Sequence, residues 1–343
     1  MTDGLAGDIV HPRTSLEGRP TTPPADADRL GFAVKVLGRE GLRANDARRW
    51  QSDPHLRVSL GYLDAILDYL AGSGIRMYRM SSDIAPYATH PDLPRFHAQL
   101  DDCAEELAAF GAKARALDIR LSLHPSQYIV LNSPVERVAA ASLRDFDVQA
   151  ALLDRMGMGP ACRVVTHVGG VYGDRAAAAD RFVARYEALP AATRARLVLE
   201  NDEVSWSVPD VLAIHERCGV PIVFDVLHHR VNDPAGIDPA EACLACLATW
   251  PPDQRPKIHY SSQRLADRTV FRRTAATGEK TARSAAPKAG QHDDWIDPAD
   301  FIAFRTATGT ARYDVMLEAK LKDLAVLCLR DAITDAHVPR PVW

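Results

Sequence analysis

The sequence predicts an α/β fold, a (β/α)8 TIM barrel forming a single domain, and three observations point to it. Eight short apolar runs alternate with longer amphipathic segments along the 343 residues. The length suits one large domain, because α/β barrels often run long as a unit. No glycine-rich phosphate loop follows the first apolar run, which counts against an open doubly wound sheet.

The elements follow in order. Residues 1–28 are rich in Pro, Thr, Gly and Asp and lack the charged-then-apolar order of a leader peptide, so a disordered N-terminal tail is expected there. Strands are expected at 30–36 (LGFAVKV), 75–80 (IRMYRM), 119–123 (IRLSL), 162–166 (CRVVT), 196–200 (RLVLE), 221–225 (PIVFD), 256–260 (PKIHY) and 313–318 (YDVMLE). Helices are expected at 58–72, 99–117, 135–157, 176–189, 207–218, 238–249 and 320–333, where apolar residues recur at three- and four-residue spacing. Leu100, Cys103, Leu107 and Phe110 line one such face. The barrel domain is drawn at 29–335, with a loop at 261–294 and a C-terminal tail at 336–343.

Composition narrows the function classes. Hydrophobic residues make up 47% and charged residues 25%, as in an ordinary soluble protein. The net charge of −4 excludes a chain that is basic throughout, so any nucleic-acid contact has to come from a local patch. No apolar run approaches the about 20 residues that span a bilayer, and no membrane partner is expected. Cys103, Cys162, Cys218, Cys243, Cys246 and Cys328 are scattered through apolar stretches; the Cys243/Cys246 pair lies on a helix face in EACLACLATW, so reduced thiols in a cytoplasmic protein are expected.

The chemistry is legible in where polar residues end the strands. The third run ends in His124, the fourth in His167, the fifth in Glu200 and the sixth in Asp225, followed by His228 and His229. The seventh carries Lys257 and His259, and the eighth ends in Glu318. In a barrel these ends converge on one mouth, where active sites are built. One histidine at a strand end is most often structural, but six successive strands delivering His, Asp or Glu to one rim are not explained that way. Such groups repel and lose solvation unless cations bind among them. Mixed imidazole and carboxylate ligation suits Zn2+, Mn2+ or Fe2+, with Glu200 as the candidate bridge between ions. Neighbours on an extended segment point opposite ways, so only one of His228 and His229 should face the ions, and His228 is chosen. His11, His55, His90, His97, His215 and His337 lie in the tail, helices or loops and are expected at the surface or in caps.

A basic stretch supplies the second feature. Residues 264–288 carry Arg264, Arg268, Arg272, Arg273, Lys280, Arg283 and Lys288 against Asp267 and Glu279, a surplus of five positive charges at the barrel mouth. A basic loop beside metal ligands suits a phosphodiester, with Arg272 and Arg273 as candidate substrate contacts, although a solvated insertion has the same composition. Phe271 and Trp295 fit either base stacking or core anchoring.

These residues sit in motifs that resemble the ultraviolet damage endonuclease family, from about Leu30 to about Asp331. The motifs are HPSQY at 124–128, THVGGVYG at 166–173, LENDE at 199–203, FDVLHH at 224–229, PKIHYSSQ at 256–263, GQH at 290–292 and LEAKLKD at 317–323, with MYRMSSDIAPYATHP at 77–91 similar to the family's second βα loop. The resemblance implies a barrel related to endonuclease IV and the xylose isomerases, holding up to three divalent ions, Mn2+ first and Zn2+ as the alternative. It implies metal ligation by His124, His167, Glu200, Asp225, His228, His259, His292 and Glu318; His292 enters through the resemblance alone. Glu200, Lys257 and His259 are the candidate catalytic residues. Lys257 matches a lysine that the family can carry carboxylated, as a metal-binding carbamate; unmodified, it is a positive charge near the phosphate. Gln127 and Tyr128 match the family's wedge pair, for which ordinary loop packing is the competing reading. Asn201 and Ser81 are expected behind the ligands or against substrate. Phe32 stands where some relatives present Tyr, and Val34, Lys35 and Val36 where an Asn is expected, which touches lesion preference rather than hydrolysis. The implied activity is incision of damaged double-stranded DNA immediately 5′ to a UV photoproduct, with no obligate protein partner. The rivals are a metal-dependent sugar isomerase or epimerase on the same barrel and a non-catalytic damage-binding protein.

Overall fold

A computed structural model describes residues 27–273 and 280–336. In chain order the elements are β1 (Leu30–Ala33), α1 (Leu56–Ser73), β2 (Met77–Arg79), α2 (Gln99–Asp102), α3 (Ala104–Ala116), β3 (Arg120–Ser122), α4 (Glu136–Arg155), β4 (Val164–His167), α5 (Arg175–Glu187), α6 (Ala191–Arg196), β5 (Leu197–Glu200), α7 (Val208–Cys218), β6 (Ile222–Val223), α8 (Val226–Val231), α9 (Pro239–Leu247), β7 (Lys257–Tyr260), β8 (Arg268–Arg273), β9 (Lys280–Ala285), α10 (Pro298–Ala307), β10 (Asp314–Leu317) and α11 (Lys322–Asp335).

The strands form a curled parallel sheet in two runs, β3-β2-β1-β10-β7 and β4-β5-β6. Single parallel bridges from Leu123 to Val164 and from Asp225 to His259 link the runs. Side chains alternate across each strand, and the packing divides accordingly. Phe32, Tyr78, Leu121, Leu199, Ile258 and Leu317 join one large core with the helices. Their sequence neighbours go elsewhere: Val165, Val198 and Val223 pack with Trp250, and Ala33 and Met77 with Met316. This second set lines the concave face, and the next positions on the same face are His167, Glu200, Asp225, Arg79 and Glu318. The register fixes their height, pairing His167 with Glu200 and Met316 with His259. Each fully buried Leu or Phe on the helix-facing side contributes about 1.5–3 kcal/mol, which holds the polar face in place.

The concave face closes at its other end with charge. Arg120 meets Asp314 at 2.8 Å, and Asp28 bonds Arg305 at 3.0 Å and Arg312 at 3.2 Å. Asp28 is therefore part of the folded body, not of a tail that runs to 28. The rest of that expected tail, residues 1–26, lies outside the described residues, as do 337–343.

Other expectations change in instructive places. The first strand stops at Ala33 because Val34 takes φ 67°, and the Tyr78 hydroxyl donates to the Val34 carbonyl at 2.6 Å. The histidine pair of FDVLHH lies on helix α8, not on extended chain. The 261–294 stretch, drawn as a loop, contains the antiparallel hairpin β8-β9. Helices α6 and α8, six residues each, have too few periodic positions to stand out in the sequence, and the ten-residue α10 falls outside the expected helices. All six cysteines are free, and Cys243 and Cys246 are buried on α9. No described helix is long and apolar enough to cross a membrane.

Candidate metal centre

Glu200 ends β5 on the concave face and is 1% exposed. One carboxylate oxygen lies 3.0 Å from His124 Nε2 and 3.7 Å from His167 Nε2. The other lies 2.8 Å from His259 Nδ1 and 3.6 Å from His228 Nδ1. Four histidines from four βα units thus surround one buried carboxylate. Burial raises its pKa, but His259, His167 and His124 outweigh that and hold it well below the usual carboxylate range.

Local structure explains how each of these side chains arrives. Asp225 caps α8, its Oδ1 accepting the His228 amide at 2.8 Å, so a single helical turn carries His228 back beside it. Asn201 fixes this corner: its Nδ2 donates to the Asp225 carbonyl at 3.0 Å and its Oδ1 accepts the Asp225 amide at 2.8 Å. The loops after β3 and β4 are brought together by Gly169, at φ 105°, where a Cβ would lie 2.3 Å from Asn132 Oδ1. Asn132 in turn donates to the Gly170 carbonyl at 2.8 Å, so the Gly-Gly pair serves close loop packing.

Three overlapping sets of donors lie within 4.8 Å of one another: His124, His167 and Glu200; Glu200, Asp225 and His228; and Asp225, His259 and Glu318. Glu200 belongs to two sets, and so does Asp225, whose shared position the sequence did not single out. His292 lies at the edge, its ring 6.2 Å from that of His228, with Nδ1 donating to the Glu318 carbonyl at 2.8 Å. The donor set fits divalent ions on two counts. His167 Nδ1, Asp225 Oδ2, His259 Nε2 and Lys257 Nζ are buried without a hydrogen-bond partner, an arrangement that costs about 1–3 kcal/mol per group unless something binds them. The charges in the cluster are also unbalanced. Burial works against a charged His228, yet Asp225, Glu200, Glu203 and Glu318 outweigh it and push its pKa up to about 10. His124, with less negative charge nearby, is pushed down by burial to about 4.

Lys257 is fully buried one step below His259 on the same face, and burial, with Arg120 and Arg79, lowers its pKa well below the usual lysine value. Arg79, at the end of β2, forms an ion pair with Glu318. Sequence reasoning passed over Arg79; its place at a strand end, like the ligands, was the available signal. His229 faces away, contacting the Ile237 carbonyl at 2.9 Å, so facing on a helix rather than on a strand separates it from His228. His55 caps α1 and His215 meets the Val220 carbonyl.

The expected substrate contacts divide. Gln127 and Tyr128 are exposed on the loop after His124, Tyr128 at 76%. Asn201 is completely buried and bonds the Asp225 backbone, while Ser81 is buried with its hydroxyl accepting the Asp83 amide of its own loop at 3.2 Å. The side chains of Phe271, Arg272 and Arg273 lie outside the described residues. Trp295 packs against the main core. Phe32 packs edge-on against Tyr78 at 5.4 Å and is fully buried, which removes it from any lesion contact.

Comparison with known proteins agrees with this arrangement. The family model UV-endonuclease UvdE matches residues 59–339. A UV DNA damage endonuclease of Bacillus velezensis is 32% identical over 272 residues, covering 78% of each chain. One from Bacillus cereus strain G9842 is 29% identical over 283 residues, covering 81% of this chain and 82% of its own. The crystal structure of SacUVDE superposes with a TM-score of 0.76 at 30% identity, over 90% of this chain and 99% of that one. A D-psicose 3-epimerase, at TM-score 0.51 and 12% identity over 90% and 98% of the two chains, shares the fold alone. With its metal-capable cluster at the strand ends and a family match over most of its length, the chain belongs to the UV-endonuclease UvdE family.

Proposed function

We propose that this UV-endonuclease repairs DNA in the cytoplasm by nicking the backbone of a damaged duplex immediately 5′ to a UV photoproduct, leaving a 3′-hydroxyl and a 5′-phosphate. The observation that carries the reading is the buried Glu200 ringed by His124, His167, His228 and His259 in a face continuous with Asp225 and Glu318. His124, His167, Glu200, Asp225, His228, His259, His292 and Glu318 would hold up to three divalent ions, Mn2+ before Zn2+. Bound there, such ions supply an acidified water and charge stabilisation at the leaving oxygen.

The chain's own residues do the rest. The carbonyls of Pro125, Asn201 and Glu318 accept from Nδ1 of His124, His228 and His292, which fixes the tautomer and aims each Nε2. Lys257 has two readings: the buried amine, its pKa lowered by burial and by Arg120 and Arg79, adds to carbon dioxide and releases a proton to give a carbamate, or it keeps its proton near the phosphate. Gln127 and Tyr128 serve as the wedge that fills the stack when damaged bases leave it, a step that costs less where pairing is already weak. The hairpin β8-β9, with Arg272 and Arg273, faces the phosphates. Closure of the two sheet runs through the Leu123 and Asp225 bridges into a complete (β/α)8 barrel, within a domain of 29–335, is part of the same reading.

The basic hairpin and the exposed Tyr128 favour a duplex over a small sugar, which needs neither. The test is incision of an irradiated, end-labelled duplex with Mn2+ and with chelator. Glu200→Gln is expected to abolish nicking while damaged-duplex binding largely survives. Full activity in that variant, or sugar interconversion without nicking, would overturn the reading.

A further inference from the structure

Glu203, the last residue of LENDE, is absent from the ligand set the motifs imply, yet its carboxylate oxygen lies 3.5 Å from His228 Nε2. The opposite nitrogen of that ring is already committed. His228 Nδ1 sits 3.0 Å from the Asn201 carbonyl, and a carbonyl only accepts, so Nδ1 carries a proton and Nε2, facing Glu203, is the nitrogen left for a metal ion, which would displace any proton there. His292 is anchored the same way, through Nδ1 to the Glu318 carbonyl, and its ring is 6.2 Å from that of His228. On both imidazoles Nε2 is therefore the nitrogen left for a metal ion. Two donor atoms bound to one ion with bonds of about 2.1 Å at tetrahedral or octahedral angles are separated by roughly 3.0–3.4 Å, close to the gap found between Nε2 of His228 and Glu203.

The backbone makes room for this carboxylate. Gly290, in the GQH motif that supplies His292, takes φ 75°, and a Cβ there would come within 3.1 Å of Glu203 Cγ. The Glu203 stem thus fills the space beside Gly290, joining the loop after β5 to the segment that follows the hairpin. Its side chain is 40% exposed, unlike Glu200 and Asp225 at 1% and 0%, so it stands at the outer edge of the cluster, on the hairpin side.

We propose that Glu203 is a further metal ligand, which with His228 and His292 holds an outer divalent ion separate from the ions gathered around Glu200. The inference rests on the metal-dependent reading above and adds a residue to it. An ion with one solvent-facing carboxylate is the one most open to exchange its remaining ligands for a phosphate oxygen entering past the hairpin.

The experiment measures Mn2+ binding to the full-length protein after chelator treatment, by calorimetric titration and by elemental analysis after desalting. Wild type, Glu203→Gln and Glu203→Ala are compared. Both variants are expected to lose one Mn2+ equivalent, or to bind their weakest equivalent at least tenfold less tightly, while the thermal midpoint of the metal-free protein stays unchanged. Wild-type stoichiometry and affinity in both variants would overturn the role of Glu203 and leave the metal reading standing. Absence of Mn2+ binding in the wild type would overturn both.

Discussion

Replacing Asn201 with Ala tests how the metal centre is held. Its side chain makes two hydrogen bonds to the Asp225 backbone, at 3.0 and 2.8 Å, and is 0% exposed. Alanine leaves the Asp225 amide without its partner in the interior, while the Asp225 carbonyl keeps the His229 amide at 3.1 Å. An unpaired buried polar group costs about 1–3 kcal/mol, which is the loss of stability expected. The same change frees the corner that sets Asp225 beside His228, and loss of a group that orients metal ligands weakens metal affinity by about 10–100-fold. Urea denaturation of chelator-treated protein reads the first effect, and Mn2+ titration of the folded protein reads the second. Unchanged denaturation midpoint and unchanged Mn2+ affinity in Asn201→Ala would refute the claim that this amide organises the site.

Three further outcomes follow from other parts of the structure. Tyr128→Ala should leave thermal stability within about 0.5 kcal/mol, as for ordinary surface positions, because the ring is 76% exposed; it should weaken discrimination between irradiated and intact duplex in a competition binding assay. Chelation should lower the thermal midpoint, with Mn2+ restoring it as its concentration rises, since a site filled at 100 times its Kd adds about 2.7 kcal/mol; a midpoint indifferent to Mn2+ would count against occupancy of the Glu200 cluster. Gly111→Ala should destabilise the fold by about 1–3 kcal/mol or more, because a Cβ on α3 would sit 1.7 Å from the Met156 carbonyl oxygen at the end of α4; a circular-dichroism melt matching wild type would show that the two helices part at little cost.

Much of the site could be read from residue order because of a simple geometric rule. A strand sends alternate side chains to one face, and parallel strands bring their ends to one side. Thus His124, His167, Glu200, Asp225, His259 and Glu318, each at the end of an apolar run, were already a cluster before any coordinates. The same pattern selected His228 over His229, and the motifs added His292. Segments that the sequence misjudged are short or locally strained. The six-residue α8 offers too little periodicity to distinguish helix from strand, and Val34 ends β1 in a left-handed conformation that its β-branched side chain does not advertise.

The sequence by itself determined the alternation of strands and helices, the polar residues at the strand ends, the basic stretch at 264–288 and the family. Tertiary structure alone decided which ring nitrogen of His228 remains for a metal, that Asn201 braces Asp225, that Asp28 is locked among arginines and that Glu203 approaches His228. The physical reason is range. Strand and helix periodicity act over a few neighbouring residues, whereas these contacts join positions on different loops whose spacing is set by sheet register, by close packing at glycines such as Gly169 and Gly290, and by the need of buried polar groups for partners.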